Sequence, residues 1–245
     1  MDKSNILWAG LTNVGVVRQM NEDYFGQANT SNGMVFVVCD GMGGHEAGEV
    51  ASEMAVTYIL NCLKSNDFDN PVDALEFAVS EANIEILNTA AYDSNLRGMG
   101  TTVVMVLVVE NQVFYAHAGD SRLYLLRNSS LRQLTEDHSH VQQLINSGRI
   151  TPAQARVHPR RNMINNSLGY TYDFRLSVCE TQVELLPDDI FLICTDGLNS
   201  MLTDDEIKKI LQRKGTLQDK AQYLIDAANQ AGGDDNTTVV LIGLK

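Results

Sequence analysis

The chain has 245 residues, 44% of them hydrophobic, and a formal net charge of −13. This length and composition fit a globular protein whose core is large enough to need no disulfides. The negative charge argues against a nucleic-acid-binding surface, because such surfaces are basic. The 4 cysteines form no close pair and no metal-type spacing, so a reducing compartment is expected.

The N-terminal stretch MDKSNILWAG does not have the charged and apolar regions of a secretory signal. The longest apolar run, residues 103–109, is too short to cross a bilayer. We therefore expect a cytoplasmic protein without a membrane span.

Runs rich in β-branched and aromatic residues predict the strands. In chain order they are residues 34–39, 101–109, 113–118, 123–126, 190–194 and 238–242. The links between the second, third and fourth runs are only a few residues long. They favour antiparallel pairing, because a parallel crossover needs about a dozen residues or more.

Two helices are predicted between the first and second strands. Apolar residues recur at helical spacing from Val50 to Leu63, with Tyr58 on the face expected to be buried. Asn70 and Pro71 are the N-cap and first-turn residues typical of a second helix.

Two more helices are predicted near the C-terminus. Thr203 and Glu206 have the spacing of a capping box, and a further apolar stripe covers residues 217–231. Strands and helices do not alternate strictly along the chain, so we predict an α+β protein with antiparallel sheets covered by helices.

Carboxylates recur at or near the predicted strand ends. They are Glu22, Asp23, Asp40, Asp120, Asp196, Asp234 and Asp235. Any one of them could simply belong to a turn. If they converge, they need a cation, because buried carboxylates repel each other and lose hydration. All the donors are oxygens and no zinc motif is present, which favours Mg²⁺ or Mn²⁺, and a pair of such ions suits phosphoryl transfer.

Three other features near the carboxylates have their own interpretations. The loop DGMGGH is not a dinucleotide-binding or P-loop motif, because Glu46 and Glu49 stand at defining positions. Arg18, three residues before Asn21, is either an ion-pair partner or a clamp for phosphate. His138 and His140 are assigned to a loop.

Residues 138–172 contain no Asp or Glu, although the chain as a whole is acidic. The segment carries Arg149, Arg156, Arg160 and Arg161. It is either a solvated loop or a docking surface, and the residues leave both possibilities open.

Seven motifs occur in a characteristic order. They are Gly15-Val-Val-Arg18-Gln-Met-Asn21-Glu22-Asp23, Asp40-Gly-Met-Gly-Gly-His45, Gly100-Thr-Thr102, Ala118-Gly-Asp120-Ser-Arg122, Leu134-Thr-Glu-Asp-His138, Thr195-Asp196-Gly197 and Gly233-Asp-Asp235-Asn236-Thr237. In this order the chain resembles the metal-dependent protein phosphatases of the type 2C (PPM) family, and especially its compact bacterial members. The resemblance runs from Gly15 to the last strand.

The resemblance implies a fold and an activity. The expected fold is a four-layer αββα sandwich of two mostly antiparallel sheets flanked by helices. It forms a single domain over residues 1–245, with a flap at about 136–170 beside the metal site. The expected activity is hydrolysis of phosphoserine and phosphothreonine in proteins by direct attack of a metal-bridging hydroxide at a binuclear Mn²⁺ or Mg²⁺ site. Such an enzyme reverses Ser/Thr kinase signalling, and its substrates include a Ser/Thr kinase. A monomer is expected.

The same resemblance implies the metal ligands. Asp40 would bridge both ions, and the carbonyl of Gly41 would bind one of them. Asp196 and Asp235 would complete the second site. Asp120 would help to hold a possible third ion.

Further roles follow from the resemblance at other positions. Arg18 would hold the substrate phosphate, while Glu22 and Asp23 would act behind the ligands or through metal-bound water. His45 would either protonate the leaving group or only orient its loop, since Met42 stands where many eukaryotic members have a histidine. The remaining expectations are structural roles for Asn21 and Asn236 and substrate contacts from the flap by Arg160 and Arg161.

Two alternatives to a protein phosphatase are kept. One is a catalytically inactive regulatory module. The other is a metal-dependent phosphohydrolase that acts on a non-protein substrate, such as a nucleotide or a single-stranded nucleic acid.

Overall fold

The structure, a computed structural model, describes residues 5–43, 47–179 and 181–245. The strands are β1 (Ile6–Asn13), β2 (Asp23–Thr30), β3 (Gly33–Met42), β4 (Gly100–Thr101), β5 (Val103–Val109), β6 (Gln112–Ala118), β7 (Arg122–Arg127), β8 (Ser130–Gln133), β9 (Ser177–Val178), β10 (Val183–Glu184), β11 (Ile190–Cys194) and β12 (Thr237–Leu244). The helices are α1 (Ala47–Ser65), α2 (Pro71–Tyr92), α3 (His140–Asn146), α4 (Pro152–Arg156), α5 (Asp196–Asn199), α6 (Asp204–Leu211) and α7 (Leu217–Gln230).

The strands form two sheets. The first sheet has the order β1-β12-β11-β7-β8. The second has the order β10-β6-β5-β3-β2, with β4 paired to β3 and β9 to β6. Every pair among these strands is antiparallel. The α+β fold predicted from the sequence is therefore confirmed.

Alternation along β3 shows how the layers are built. Phe36 and Val38 pack into a core between the two sheets, whereas Val37 and Cys39 face a second core beneath α1 and α2. A third core lies between the first sheet and helices α6 and α7. The four-layer αββα sandwich follows from these three cores.

The predicted helix starts are present. Asn70 accepts a hydrogen bond from the N–H of Val72, and Thr203 and Glu206 form a reciprocal capping box. One expectation about α1 was wrong: Tyr58 is 41% exposed. The buried stripe of this helix consists mainly of small residues, so the bulky ring lies at its margin.

Strand prediction failed at the edges of the sheets and at one break. β1 and β2 are edge strands whose burial is too mixed to give a clear apolar run. The run 101–109 is interrupted at Thr102, so that β4 pairs with the end of β3. Asp40 does not follow β3 but lies within it, because the strand continues to Met42.

Within the described ranges, none of the helices combines the length and the hydropathy that crossing a bilayer requires.

Candidate active site

Asp40 and Asp196 belong to different sheets but meet at one end of the sandwich. Asp40 has the same parity in β3 as Phe36 and Val38, so its side chain enters the space between the sheets. Asp196 is the first residue of α5, directly after β11 and Thr195. The two carboxyl groups lie close enough that the charge of Asp196 raises the pKa of Asp40.

The pKa values of these carboxyl groups are raised, because burial disfavours their charged forms. Burial, followed by the charges of Asp23 and Asp196, raises the pKa of Asp40 well above its ordinary value of 3.8. Burial and the charge of Asp235 raise the pKa of Asp196 to about 6. Burial and the charge of Asp196 likewise raise the pKa of Asp120. The cluster is thus short of positive charge.

Asp23 joins the two sheets below this cluster. It is the direct partner of Asp40 in the β2–β3 ladder, where like charges are unfavourable. Its Oδ2 accepts hydrogen bonds from Thr195 Oγ1 at 2.8 Å and Thr238 Oγ1 at 2.7 Å. Its Oδ1 is buried and has no hydrogen-bond partner among the described residues, and burial raises the pKa of this carboxyl to about 7.

The sequence reasoning missed the two threonine hydroxyls. The available signal was their place in the motifs Thr195-Asp196-Gly197 and Asn236-Thr237-Thr238, beside the predicted ligands. Because a hydroxyl donates one hydrogen bond, each threonine offsets part of the desolvation of Asp23.

Gly41 lies where three chain segments cross. A Cβ at this position would be 2.0 Å from the Gly48 carbonyl oxygen and 2.6 Å from the Glu22 carbonyl oxygen. The Gly41 N–H donates to that Glu22 carbonyl at 3.0 Å. Only glycine permits this approach, so the main chain beside Asp40 is tightly held.

The oxygen-only donor set fits a hard divalent cation such as Mn²⁺ or Mg²⁺. Among the residues that the structure describes, no group of three or more His, Cys, Asp or Glu side chains forms a complete metal-binding group. The carboxylate of Asp235 contacts Arg18 instead. The raised pKa values and the unpartnered Oδ1 of Asp23 nevertheless indicate a site that positive charge would stabilise.

Arg18 lies at the rim of the cluster. Its Nη2 is 2.8 Å from Asp235 Oδ2, and its Nη1 is 3.9 Å from Glu22 Oε2. Its side chain is 46% exposed. It can therefore also reach an anion that approaches from solvent.

Asn21 and Asn236 hold the loop that carries Arg18. The Asn236 amide donates to the carbonyls of Val14 and Met20, and its oxygen accepts the N–H of Glu22 at 2.8 Å. Asn21 accepts the N–H of Asp23. These contacts order the loop without placing either asparagine among the acidic ligands.

Thr102 connects the end of β3 that carries Asp40 with the turn that carries Asp120. Its hydroxyl accepts the Asp40 N–H at 3.0 Å and lies 2.7 Å from the Ser121 hydroxyl. Thr102 and Ser121 are fully buried. Both residues belong to motifs recognised in the sequence, but the sequence did not predict that their hydroxyls are in contact.

The basic segment predicted as a flap lies beside the carboxylates. A cavity of about 580 Å³ separates it from α5 and α6, and Asp120, Asp196 and Arg161 contribute to its lining. Arg156 donates to the carbonyls of Asn199, Ser200 and Leu202, so it anchors the segment. Arg160 is exposed and is not among the residues that line this cavity, and His45 lies outside the described residues.

The sequence profile of the family described as Protein phosphatase 2C matches residues 16–232. The chain belongs to the protein phosphatase 2C family. This assignment confirms the resemblance, since the matched range contains all the predicted acidic ligands except Asp235 and its neighbour Asp234.

Relatives within the protein phosphatase 2C family cover nearly the whole chain. The serine/threonine phosphatase stp of Listeria monocytogenes is 41% identical over 236 residues, which are 94% of this chain and 93% of that protein. A solved serine/threonine phosphatase of S. agalactiae has a TM-score of 0.92 and 34% identity, covering 98% of this chain and 100% of its own.

A further solved structure concerns the metal. The catalytic domain of the serine/threonine protein phosphatase PstP, in complex with 2 manganese ions, is 33% identical to this chain. Its TM-score is 0.86, and the similarity covers 98% of each chain. The Mn²⁺ or Mg²⁺ dependence expected of a protein phosphatase 2C family member agrees with this neighbour.

Proposed function

We propose that this protein hydrolyses phosphoserine and phosphothreonine in proteins at the end of the sandwich where Asp40 and Asp196 meet. The observation that carries the proposal is the group of buried, mutually repelling carboxylates beside the exposed guanidinium of Arg18. Such a group costs free energy unless it binds cations, and Arg18 is suited to phosphate.

Each predicted ligand has a role in this proposal. Asp40 and the Gly41 carbonyl, together with Asp196 and Asp235, would hold two Mn²⁺ or Mg²⁺ ions, and Asp120 would hold a third. When bound, such ions lower the pKa of water and neutralise charge on a phosphoryl group.

Residues around the ligands would bind the phosphate, contact water and protonate the leaving group. Arg18 binds and orients the phosphate, with Asp235 and Glu22 keeping its guanidinium at the rim. Asp23 presents its free Oδ1 behind the ligands, where it can accept a hydrogen bond from water. His45 is the candidate for protonating the leaving serine or threonine oxygen.

The test is a phosphopeptide assay with Asp40→Asn. We expect Mn²⁺-dependent release of phosphate from a phosphothreonine peptide by the native protein, none after chelation, and a loss of at least about a hundredfold in the variant. Asp69→Asn, which removes an exposed carboxylate far along the sequence from the cluster, is the matched control.

Parallel assays separate the alternatives. Faster turnover of a nucleotide or of single-stranded DNA than of the phosphopeptide would favour a non-protein substrate. No turnover of p-nitrophenyl phosphate with Mn²⁺ would favour an inactive regulatory module.

The wider expectations are part of the same proposal. Residues 1–245 would act as one domain, with residues 136–170 as its flap. The protein would work as a cytoplasmic monomer without nucleic-acid partners, on phosphorylated proteins that include a Ser/Thr kinase. Sedimentation and dephosphorylation of the autophosphorylated kinase test the oligomeric state and the partner.

A further inference from the structure

The flap, residues 136–170, leaves the rest of the domain through a narrow neck in which residues 138–140 pair with residues 163–166. The His138 carbonyl accepts the N–H of Asn165 at 2.9 Å. An isolated β-bridge follows one residue further along each side of the neck. The two ends of the flap are therefore joined to each other before its helices α3 and α4 begin.

The ring of His138 fastens this neck to the domain. Its Nδ1 accepts the N–H of Gly119 at 3.2 Å and the side-chain amide of Asn166 at 2.7 Å. Because two donors meet Nδ1, the proton lies on Nε2, which donates to Ser177 Oγ at 2.9 Å. One side chain thus contacts the flap exit, a turn of the sandwich and strand β9.

The face of the ring is also fixed. It stacks on His117 of β6, with ring centroids 4.7 Å apart and an angle of 22° between the planes. His117 is buried, and its Nε2 donates to the Glu136 carbonyl at the flap entrance. The ring of His138 therefore has little freedom to rotate.

The turn that His138 contacts leads directly into Asp120. Gly119 has a φ of +111°, and a Cβ there would lie 2.6 Å from the methyl group of Thr102. His138 also donates its own N–H to the Gly119 carbonyl at 2.9 Å. The neck is accordingly attached to a confined turn that cannot easily follow its movements.

The other end of the flap contacts the part of β3 that carries Asp40. Thr101 and Leu168 exchange two main-chain hydrogen bonds, at 2.9 and 3.1 Å. The Thr101 hydroxyl donates to the Asp40 carbonyl at 2.9 Å. The flap is thus attached beside two predicted ligands, with His138 at the attachment near Asp120 and Leu168 at the one near Asp40.

We propose that His138 is a positioning residue that holds the flap, and with it the cavity lined by Arg161, in register with the carboxylate cluster for docking of phosphoprotein substrates. This inference rests on the proposed phosphatase function. It predicts that loss of the ring acceptor loosens the flap and weakens the binding of protein substrates. Small substrates that do not reach the flap should be turned over at the native rate.

Three variants separate the contacts of the ring. His138→Phe keeps the stacking on His117 but removes every ring hydrogen bond. His138→Asn places an acceptor oxygen as many bonds from Cα as Nδ1, so it can rescue the contacts to Gly119 and Asn166. His138→Gln instead places its amide near the position of Nε2 and leaves Gly119 unpaired.

Limited trypsin digestion measures how often the flap opens, and it needs no activity measurement. The flap contains the cleavage sites Arg149, Arg156, Arg160 and Arg161. Because both hydrogen bonds to Nδ1 are lost, His138→Phe and His138→Gln are expected to be cut there roughly tenfold faster, and His138→Asn at close to the native rate.

Kinetics give the second readout. For His138→Phe, the KM for a phosphothreonine protein is expected to rise about tenfold, while kcat/KM for p-nitrophenyl phosphate stays within about twofold. His138→Asn should recover most of the native KM. A solely structural role would lower both activities together and would not distinguish Asn from Gln.

The proposal is overturned if His138→Phe has the native digestion rate and the native KM, or if the Asn and Gln variants behave alike. Should His138→Phe fail to fold, Asn166→Ala removes the hydrogen bond between Asn166 and His138 from the other side. It must then give the same faster digestion and the same higher KM for the protein substrate. Failure of the phosphatase function would appear separately, as inactivity of the native protein with an unchanged difference in digestion.

Discussion

Arg18 Nη2 lies 2.8 Å from Asp235 Oδ2, so the residue predicted to bind phosphate directly contacts a predicted metal ligand. The loop of Arg18 is in turn pinned by Asn236, the neighbour of Asp235 in the chain. The residue proposed to bind phosphate and a residue proposed to bind metal therefore belong to one local structure. This ion pair is partly exposed and therefore contributes little stability, so the contact matters because it fixes the position of Arg18.

Replacing Arg18 tests its role at the rim. Arg18→Ala is expected to lower kcat/KM on a phosphopeptide by roughly tenfold to a hundredfold, because a charge-assisted hydrogen bond to phosphate is lost. The kcat/KM of Arg18→Lys should lie between those of the native protein and Arg18→Ala, since lysine keeps the charge but not the planar guanidinium. Arg132→Ala, which removes an exposed arginine of β8, should change little. Equal effects of the two alanine variants would contradict the assignment.

Metal binding is expected to stabilise the protein more at high pH than at low pH. The folded-state pKa values of Asp196 and Asp23, about 6 and about 7, lie above their ordinary value of 3.8. Without metal, their contribution to stability is full below about pH 4 and is lost as pH rises through 6 to 7. Mn²⁺ offsets the repulsion of the ionised forms and competes with protons for them.

The measurement is thermal unfolding with Mn²⁺ and with chelator, at about pH 5 and about pH 8. A larger increase in Tm at the higher pH is expected. An increase in Tm that is the same at both pH values, or that is greater at low pH, would show that the ion does not offset the charge of these carboxylates.

The hydroxyls below the cluster should matter for stability. Thr195→Val leaves Asp23 with one donor fewer in a buried position, so the free energy of unfolding should fall by about 1–3 kcal/mol. Thr57→Val on the exposed face of α1 is the matched control and should stay within about 0.5 kcal/mol. Urea denaturation measures both, and equal values would remove the role given to Thr195.

His138 should make the protein sensitive to acid. Burial, then the proximity of His117 and Arg175, lowers the pKa of His138 from 6.5 to about 4, while Asp137 acts in the opposite direction. Since the folded-state pKa is below the unfolded one, the stabilisation is full above about pH 6.5 and is lost as pH falls towards 4.

The check is the difference in unfolding free energy between the native protein and His138→Asn. This difference cancels the titration of the carboxylates, which both proteins share. As pH falls from about 7 to about 4.5, the native protein should lose stability relative to the variant. A constant difference in unfolding free energy would contradict the lowered pKa of His138.

Much of the fold could be predicted because its signals are local. The stripe in α2, the capping box at Thr203 and the strand at 190–194 each depend on residues only a few positions apart. The acidic residues at strand ends are equally visible, since alternation already directs Asp40 to the same side as Phe36. Edge strands were missed because their pattern is mixed.

The contacts that make the site could not be predicted in this way. Asp23 meets Thr195 and Thr238 across 172 and 215 positions of sequence, and Arg18 meets Asp235 across 217. Which of these groups touch depends on the register of two sheets stacked face to face, and no local pattern encodes that register. Residue types therefore indicated an acidic, phosphate-directed chemistry, whereas sheet packing determined which hydroxyls and which arginine contact the carboxylates.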